Sequence, residues 1–344
     1  MDKSDKIIVG ISIGDLNGIG IEVILKTFQD RRMLEFCTPV IFGATKVISY
    51  HKKALNLDVP VQGITSINQV NHSKINVLNI WKEEVAIELG NSTKISGEYA
   101  ARSLTSAVKY LKEKKVDVLL TAPINKENIQ SEDFNFPGHT EYLEENLEGK
   151  SLMILMTDAL KIGLITGHIP IAKVAETITP ALIKEKVQTM YTSLIEDFGI
   201  NKPKIAVLSL NPHCGDKGVI GKEDDKIIKP TIDEIKETGK LVFGPYAADG
   251  FFGSESYKQF DGVLATYHDQ GLAPFKALSF GNGVNFTAGL NEIRTSPDHG
   301  TGFDIAGKGV ANPSSFTQAL FTAIEIYKNR REYKELTKNP LLVK

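Results

Sequence analysis

The sequence predicts an α/β fold in which helices pack against a largely parallel sheet. Short apolar, β-branched runs such as 7–13 and 116–120 have the length and composition of buried strands. Amphipathic helical patterns, such as those at 95–115 and 180–198, lie between these runs. The chain has 344 residues, which exceeds the size at which one hydrophobic core usually keeps growing, so we expect two domains.

The first predicted unit is a strand, a glycine-rich turn and a helix. Ile7–Ile13 reads as the strand, Gly14–Gly20 as the turn, and the apolar face of the next ten residues as a helix. This order favours a ligand close to a helix N-terminus. The glycine spacing fits neither GxGxxG nor GxxxxGK, so the usual dinucleotide fingerprint and the P-loop are both excluded. Asp15 is interpreted either as the helix N-cap or as a site residue.

The remaining elements follow in alternation along the chain. Further strands are predicted at 39–44, 152–156, 162–165, 204–210 and 262–265, and further helices from Thr140, at 227–235 with a kink at Pro230, and at 313–327. The helix that begins near Pro180 has threonine before it and proline at its first position, which is a typical helix start. Residues 61–89 give no clear order of elements.

Composition narrows the possible partners and compartment. A net charge of −2 gives no reason to expect nucleic acid or a membrane surface. The two cysteines, Cys37 and Cys214, form no CxxC pair, so neither a disulfide framework nor a zinc finger is supported. No apolar run approaches 18 residues, and the start of the sequence lacks the apolar region of a signal peptide. We therefore expect a cytoplasmic protein.

The segment Thr266–Asn312 is the strongest candidate for a binding surface. It combines many glycines with two histidines, an arginine and four acidic residues. Glycine lets the backbone approach a ligand closely, and charged groups among single apolar residues would be costly in a core strand. The alternative is a long polar surface loop, because loops are often rich in glycine and polar residues.

Histidines mark the ends of several predicted strands. Of the seven, His51 and His72 have polar, lysine-flanked surroundings and are expected at the surface. His168, His213 and His268 each directly follow an apolar strand. If parallel strands bring these loops to one edge of a sheet, three imidazoles can form an open divalent-metal site. The alternative for each is a hydrogen-bonded loop residue, and their spacing does not decide between the two.

Several motifs together resemble the 4-hydroxythreonine-4-phosphate dehydrogenase family, and the resemblance covers nearly the whole chain. The motifs are GDxxGIG, TAPINK, FPGHTEYL, TGH, LNPHCG, YHDQGLAPFK, GVNFTAGL and IRTSPDHGTGFDIAGKG. One departure is Leu16-Asn17, where the family commonly has Pro-Ala.

This resemblance implies both a fold and an activity. The fold is of the isocitrate/isopropylmalate dehydrogenase-like type, with two three-layer α/β/α domains, a cleft between them, and a homodimer with the active site at the subunit interface. The implied domains are residues 1–130 with 305–344, and residues 131–304. The implied reaction is NAD-dependent oxidation of 4-phosphooxy-L-threonine at C3, with NADP possible. Decarboxylation of the β-keto acid then gives 3-amino-2-oxopropyl phosphate for pyridoxal phosphate (vitamin B6) biosynthesis.

The resemblance also assigns roles to individual residues. The implied metal ligands are His168, His213 and His268, one of them from the partner subunit, around zinc, cobalt or magnesium. The implied substrate contacts are His139, Thr140, Lys276, Asn285 and Arg294. The candidate catalytic residues are His268, Asp269, Lys276 and Asp249, and the alternative for Asp269 is a structural role in holding His268. His299, Gly300, Thr301, Asp304 and Asn312 are similar to an adenosine-binding loop, which explains how a dehydrogenase can lack GxGxxG.

Three alternatives stay open. One is a dehydrogenase of another phosphorylated hydroxy acid, of the phosphoerythronate or phosphothreonate type. Another is a phosphoryl or acyl transferase of similar fold, although the DHGTGFDIAGKG loop argues against it. The third is a catalytically silent phosphate-binding protein, against which the intact histidine set argues. Which substrate anion Lys276 and Arg294 each bind is also left open.

Overall fold

A computed structural model describes residues 6–132 and 134–339 of the chain. Its strands are β1 (Ile7–Ser12), β2 (Cys37–Gly43), β3 (Val61–Ile64), β4 (Ile75–Asn79), β5 (Val118–Thr121), β6 (Gly149–Thr157), β7 (Leu160–Leu164), β8 (Lys204–Leu208), β9 (Leu241–Tyr246), β10 (Gly262–Ala265), β11 (Val284–Leu290) and β12 (Arg294–Pro297). Its helices are α1 (Gly20–Thr27), α2 (Met33–Phe36), α3 (Thr45–Ala54), α4 (Lys94–Lys112), α5 (His139–Asn146), α6 (Val174–Thr177), α7 (Pro180–Glu196), α8 (Lys229–Glu237), α9 (Ala248–Gly253), α10 (His268–Ser279) and α11 (Ser314–Thr337). The α/β fold class is confirmed.

The described chain divides into two compact units. The first comprises the described residues up to Glu148 together with Asn291–Tyr327, and the second comprises Gly149–Leu290 with the described residues from Lys328. The domain bounds implied by resemblance, at 130/131 and 304/305, lie elsewhere, and that division stays a prediction. Gly149, in the second unit, has φ +129°, and a Cβ added to it would collide with the backbone of Gly289. No side chain fits there, which explains why this position is a glycine.

The first unit contains an all-parallel set of strands in the order β3-β4-β2-β1-β5-β12. The central strands β1, β2 and β5 are near-continuous runs of buried residues, as expected for parallel strands covered on both faces, and every residue of β2 is buried. α4 packs on β1, β2 and β5, and the Thr93 side chain caps its start by accepting from Ser96 N. The predicted strand-turn-helix at the start of the chain is confirmed.

The second unit has strands in the order β11-β6-β7-β10-β8-β9. β11, β6 and β7 are antiparallel neighbours, whereas β7, β10, β8 and β9 run parallel. The predicted pairing of 152–156 with 162–165 is confirmed as the β6–β7 hairpin. Because β7, β10 and β8 run parallel, the loops that leave their carboxyl ends start from the same edge.

One alternative and one expectation drawn from the sequence are wrong. The alternative that Thr266–Asn312 is one long surface loop fails, because the segment contains α10, β11 and β12. His51 is not a surface residue, because it lies on the buried face of α3 with 1% of its surface exposed. In the part of the chain that the structure describes, no helix has both the length and the apolar character needed to span a membrane.

Candidate active site

In the first unit, a buried arginine lies where β12 meets β5. Arg294 opens β12, in register with Leu119, and is 1% exposed. Its Nε and Nη2 donate to Thr121 Oγ1 at 3.0 and 2.7 Å. Burial lowers the pKa of Arg294 to about 9, an effect that the Glu141 carboxylate opposes. The guanidinium therefore keeps its charge at neutral pH, and a bound anion would offset the cost of that burial.

His139 lies close enough to Arg294 to feel its charge. The histidine is the first residue of α5, after Gly138, and Thr140 follows it, half-buried. Burial, and then the positive charges of Arg294 and Lys126, hold the pKa of His139 well below its usual value. His139 Nε2 is out of contact with solvent and has no hydrogen-bond partner. A neutral imidazole therefore lies beside two cations, and its buried ring nitrogen can bond a ligand.

We call Arg294, His139, Lys126 and Thr121 the anion region. Lys126 was not among the predicted site residues. The signal that could have identified it is its place in TAPINK, directly after β5, since open α/β sheets bind ligands at the carboxyl ends of strands.

Asp15 holds the glycine-rich turn in place and is fully buried. Its carboxylate accepts from Asn17 N at 2.9 Å, Ser96 Oγ at 3.0 Å and Asn128 Nδ2 at 2.7 Å. The N-cap of α1 is Ile19, without a side-chain cap, so the N-cap interpretation of Asp15 is wrong. Asp15 instead ties the turn to the start of α4 and to the loop after β5.

The predicted adenosine loop lies against the start of α1 within the first unit. Ile19 N donates to Thr301 O at 2.8 Å, and a Cβ added to Gly18 would lie 2.7 Å from that oxygen. At the far end of the loop, Glu22 Oε1 accepts from Ala311 N at 2.9 Å, and Lys26 Nζ donates to Ala311 O at 2.7 Å. The loop is therefore anchored at both ends.

The predicted adenosine loop leaves room for a ligand between and beside these anchors. Gly300 and Asp304 are exposed, and a Cβ added to Gly300 would meet no atom within 4 Å. His299 Nδ1 lies 3.0 Å from Gly300 O, and His299 Nε2 is buried without a hydrogen-bond partner. Asn312 is exposed, and its Oδ1 accepts from Ser314 N and Oγ at the start of α11. An open backbone beside an unpartnered imidazole nitrogen fits a nucleoside.

In the second unit, the loops after β7 and β10 bring two histidines together. The rings of His168 and His268 have centroids 5.4 Å apart and are tilted by 45°. His268 Nδ1 lies 2.7 Å from Asp269 Oδ1, so His268 Nε2 is the nitrogen available to a ligand. Two imidazoles bound to one tetrahedral ion have ring centres about 5 Å apart. The pair therefore fits a shared divalent cation.

His213 is held in a strained turn. It and the next four residues all have φ between 44° and 79°, a left-handed run that includes four non-glycine residues. Each non-glycine residue in this region costs about 1 kcal/mol or more, and such strain is concentrated at functional sites. Asp224 holds the start of the turn: its carboxylate accepts from Leu210 N at 2.8 Å and from Asn211 N and Nδ2 at 2.9 Å.

One chain brings only two of the three predicted ligands together. Among residues 6–132 and 134–339, no three histidine, cysteine, aspartate or glutamate side chains lie close enough to hold one ion. Cys214 follows His213, but its Sγ lies 3.4 Å from Pro245 O, and burial raises the pKa of its thiol. We call His168, His213, His268 and the loops that carry them the histidine region.

The other predicted site residues of the second unit lie on three elements. Lys276 is exposed on α10, eight positions after His268. Asn285 is half-buried on β11, and its Oδ1 is buried without a hydrogen-bond partner. Asp249 is exposed in the first turn of α9, and the Asp269 side chain is 86% exposed. Asp269 contacts a predicted metal ligand, because its Oδ1 lies 2.7 Å from His268 Nδ1.

Comparison with known proteins agrees with this arrangement of residues. A family model described as "Pyridoxal phosphate biosynthetic protein PdxA" matches residues 35–323. The chain belongs to this family. It is 50% identical over 341 residues to a 4-hydroxythreonine-4-phosphate dehydrogenase of Bacteroides thetaiotaomicron, covering 98% of this chain and 94% of the relative. The family resemblance inferred from the motifs is confirmed.

Two further relatives show how far the similarity extends. A D-threonate 4-phosphate dehydrogenase of Cupriavidus necator is 34% identical over 329 residues, covering 94% of this chain and 98% of the relative. The crystal structure of a 4-hydroxythreonine-4-phosphate dehydrogenase from Klebsiella pneumoniae is similar with a TM-score of 0.80 and 31% identity. That likeness covers 95% of this chain and 99% of the other. The family therefore includes members named for different phosphorylated substrates.

Proposed function

We propose that this chain is a dehydrogenase that oxidises 4-phosphooxy-L-threonine at C3 with NAD. Loss of CO2 from the resulting β-keto acid then gives 3-amino-2-oxopropyl phosphate, in pyridoxal phosphate biosynthesis. The support is the 50% identity over almost the whole chain to a relative of that name. The structural observation that carries the proposal is the buried, charged Arg294 beside a neutral His139.

Arg294 and its neighbours bind an anionic group of the substrate. Thr121 holds the guanidinium in a fixed plane, and a planar guanidinium suits a phosphate or carboxylate. Lys126 adds a second positive charge near His139. His139 Nε2 has no partner within the protein and is free to form a hydrogen bond to substrate. These groups orient the substrate before the chemistry begins.

A divalent cation fits the histidine region, with His168 and His268 as ligands and a third imidazole supplied in a homodimer. When bound, such an ion polarises the substrate oxygen at C3 and stabilises negative charge that develops during decarboxylation. Asp269 holds His268 by its Nδ1, which fixes the tautomer and keeps Nε2 directed to the ligand. Imidazole ligands favour zinc or cobalt over magnesium.

The loop from His299 to Asn312 holds the adenosine part of NAD. When bound, the nicotinamide accepts the hydride that leaves C3. Gly300 and Asp304 are exposed, and the hydrogen bonds at Thr301 and Ala311 anchor the loop that carries them, so the loop presents a preformed surface. The buried and unpartnered His299 Nε2 is the polar atom best placed to bond the nucleoside.

A second candidate substrate is a phosphorylated sugar acid such as D-threonate 4-phosphate. The observation that favours it is the full-length similarity to a relative named for that substrate. The two substrates differ at one carbon, which carries an ammonium group in one and a hydroxyl group in the other. The buried Asn285 Oδ1 is an acceptor that either group can satisfy, so substrate preference must be measured.

The test is a substrate comparison with purified protein, NAD and a divalent metal. NADH absorbance should appear fastest, by kcat/KM, with 4-phosphooxy-L-threonine. A higher kcat/KM for threonate 4-phosphate or erythronate 4-phosphate would show that the substrate proposal is wrong while leaving the dehydrogenase class intact. Titration of the protein with NAD in a calorimeter separates this class from a transferase, which should show no heat of NAD binding.

A further inference from the structure

A buried polar network joins the ends of the three strands that carry the metal-binding histidines. Thr166 lies two residues before His168, Thr266 two residues before His268, and Ser209 four residues before His213. All three network residues are at most 2% exposed. Thr166 Oγ1 donates to Thr266 O at 2.7 Å, and Thr266 Oγ1 lies 3.3 Å from Ser209 O. The network therefore reaches across the carboxyl ends of β7, β10 and β8.

Gln270 is the centre of this network. It lies in the first turn of α10, two residues after His268. Its Oε1 accepts from Thr266 N at 2.8 Å and from Thr266 Oγ1 at 2.9 Å, while its Nε2 donates to Ser209 O at 2.6 Å. One side-chain amide thus bonds the backbone of the β10 end and the backbone of the β8 end at the same time.

The backbone groups at the ends of β10 and β8 depend on Gln270 for hydrogen bonds. Thr266 N and Ser209 O lie just beyond the last residues of β10 and β8, where the sheet ladder has stopped. A buried backbone group without a partner costs about 1–3 kcal/mol. Removing the amide would leave Thr266 N without its partner and Ser209 O with only the longer bond from Thr266 Oγ1, so the strand ends would move to find water or other partners. Any such movement is passed on to histidines only a few residues away.

We propose that Gln270 is a positioning residue that sets the relative placement of the His168, His213 and His268 loops for a divalent cation. The inference rests on the proposed function, because it assumes that these histidines bind metal. Gln270 acts through the strand ends and does not itself bind the ion. The motif YHDQG therefore contains, besides the ligand His268 and its partner Asp269, the group that connects their loop to the His213 loop.

The test uses Gln270→Met, which keeps the length of the side chain and removes both the donor and the acceptor. Thr266→Val removes a hydroxyl of the same network without changing Gln270, and it carries the test if the methionine variant does not fold. Gln188→Met is the matched control, because Gln188 is exposed on α7, where its Nε2 donates to Thr192 Oγ1 at 2.9 Å.

Each protein is titrated with Co²⁺ and Zn²⁺ in a calorimeter without substrate, and the visible spectrum of the Co²⁺ form is recorded. Changes to groups that orient metal ligands typically weaken metal affinity about 10–100-fold. We expect Gln270→Met to weaken affinity by about 10-fold or more and to alter the Co²⁺ spectrum, and Thr266→Val to change both in the same direction. Gln188→Met should match the wild type in both.

Three outcomes would overturn the proposal. If Gln270→Met and Thr266→Val leave both the metal affinity and the Co²⁺ spectrum unchanged, Gln270 does not position the ligands. If the variants lose thermal stability and the Co²⁺ spectrum stays that of the wild type, the network serves the sheet alone. If the wild type itself binds no divalent cation, the metal part of the proposed function fails first and this inference fails with it.

Discussion

The anion region and the histidine region differ in how far their side chains are exposed to solvent. In the anion region the charge is buried: Arg294 is 1% exposed and fixed by Thr121, and His139 is held neutral. In the histidine region the rings of the predicted ligands lie at the surface, with the His268 side chain 38% exposed. Within the described residues, one chain brings the anion region together, whereas only two of the three predicted ligands meet in the histidine region.

The difference shows where each region obtains its binding energy. Burying Arg294 costs free energy on folding, and a bound anion would offset that cost. The exposed imidazoles would cost little to desolvate and would instead need accurate placement, which we propose that the strand-end network and the left-handed turn at His213 provide. Changes in the first region should therefore act mainly on substrate binding, and changes in the second on metal binding.

The largest effect is expected for Arg294→Lys. Lysine keeps the charge but loses the planar donor group, and disturbing a buried charged contact typically costs about 2–5 kcal/mol. We expect kcat/KM for the phosphorylated substrate to fall roughly 10²–10³-fold, mainly through KM, with metal affinity unchanged. Arg31→Lys, at an exposed position, is the control. If Arg294→Lys changes metal affinity and leaves KM normal, the two regions do not separate substrate binding from metal binding.

Acid should destabilise the protein through His51 in the first unit. Burial lowers the pKa of His51 to about 4, below the value of about 6.5 expected in the unfolded chain. The unfolded state therefore binds more protons between these values, so stability is complete above about pH 6.5 and is lost as the pH falls towards 4, by about 3 kcal/mol.

Urea unfolding of the wild type and of His51→Gln at pH 7.5, 6 and 5 measures this loss. The difference in unfolding free energy between the two proteins should change with pH in favour of the variant as the pH falls. A difference that stays constant from pH 7.5 to 5 would show that His51 does not titrate in this range. His72→Gln is a control, since His72 is only half-buried.

A smaller effect is expected from Asp224→Asn in the histidine region. The carboxylate is fully buried and accepts three hydrogen bonds from residues 210–211. The amide nitrogen would face the backbone N–H of either Leu210 or Asn211, and we expect a loss of about 2 kcal/mol in unfolding free energy, together with weaker metal binding. Asp233→Asn, exposed on α8, should leave both quantities unchanged. If Asp224→Asn is destabilised but keeps normal metal affinity, the His213 turn does not contribute to metal binding.

The smallest effect is expected from Asp269→Asn. Asp269 bonds His268 Nδ1 from an exposed position, so the loss should be at the lower end of the range for groups that orient a metal ligand, about 10-fold in metal affinity. Asp158→Asn, at the exposed turn between β6 and β7, controls for the loss of one carboxylate. Equal metal affinity for both variants would show that Asp269 does not orient His268.

The fold was predictable where local patterns and tertiary packing agree. The β1–turn–α1 unit, the β6–β7 hairpin and the Thr179 cap before Pro180 all follow from short-range rules of strand composition, turn chemistry and helix capping. The elements α10, β11 and β12 were missed, because polar site residues interrupt their apolar pattern. His51 was placed wrongly, because lysine neighbours on the exposed face of α3 hid the buried face that it shares with Val47 and Ile48.

The sequence by itself determined the α/β class, the family and the residue types available for chemistry, because motifs and periodicity are properties of neighbours along the chain. Only the tertiary structure decided which groups meet. It buried Arg294 against Thr121, 173 positions earlier, and brought His168 within ring contact of His268. It also revealed Lys126 and Gln270, whose roles depend on hydrogen bonds and charges between strand ends that are remote in sequence. Pairing over such distances is set by the packing of the sheet, which no local pattern encodes.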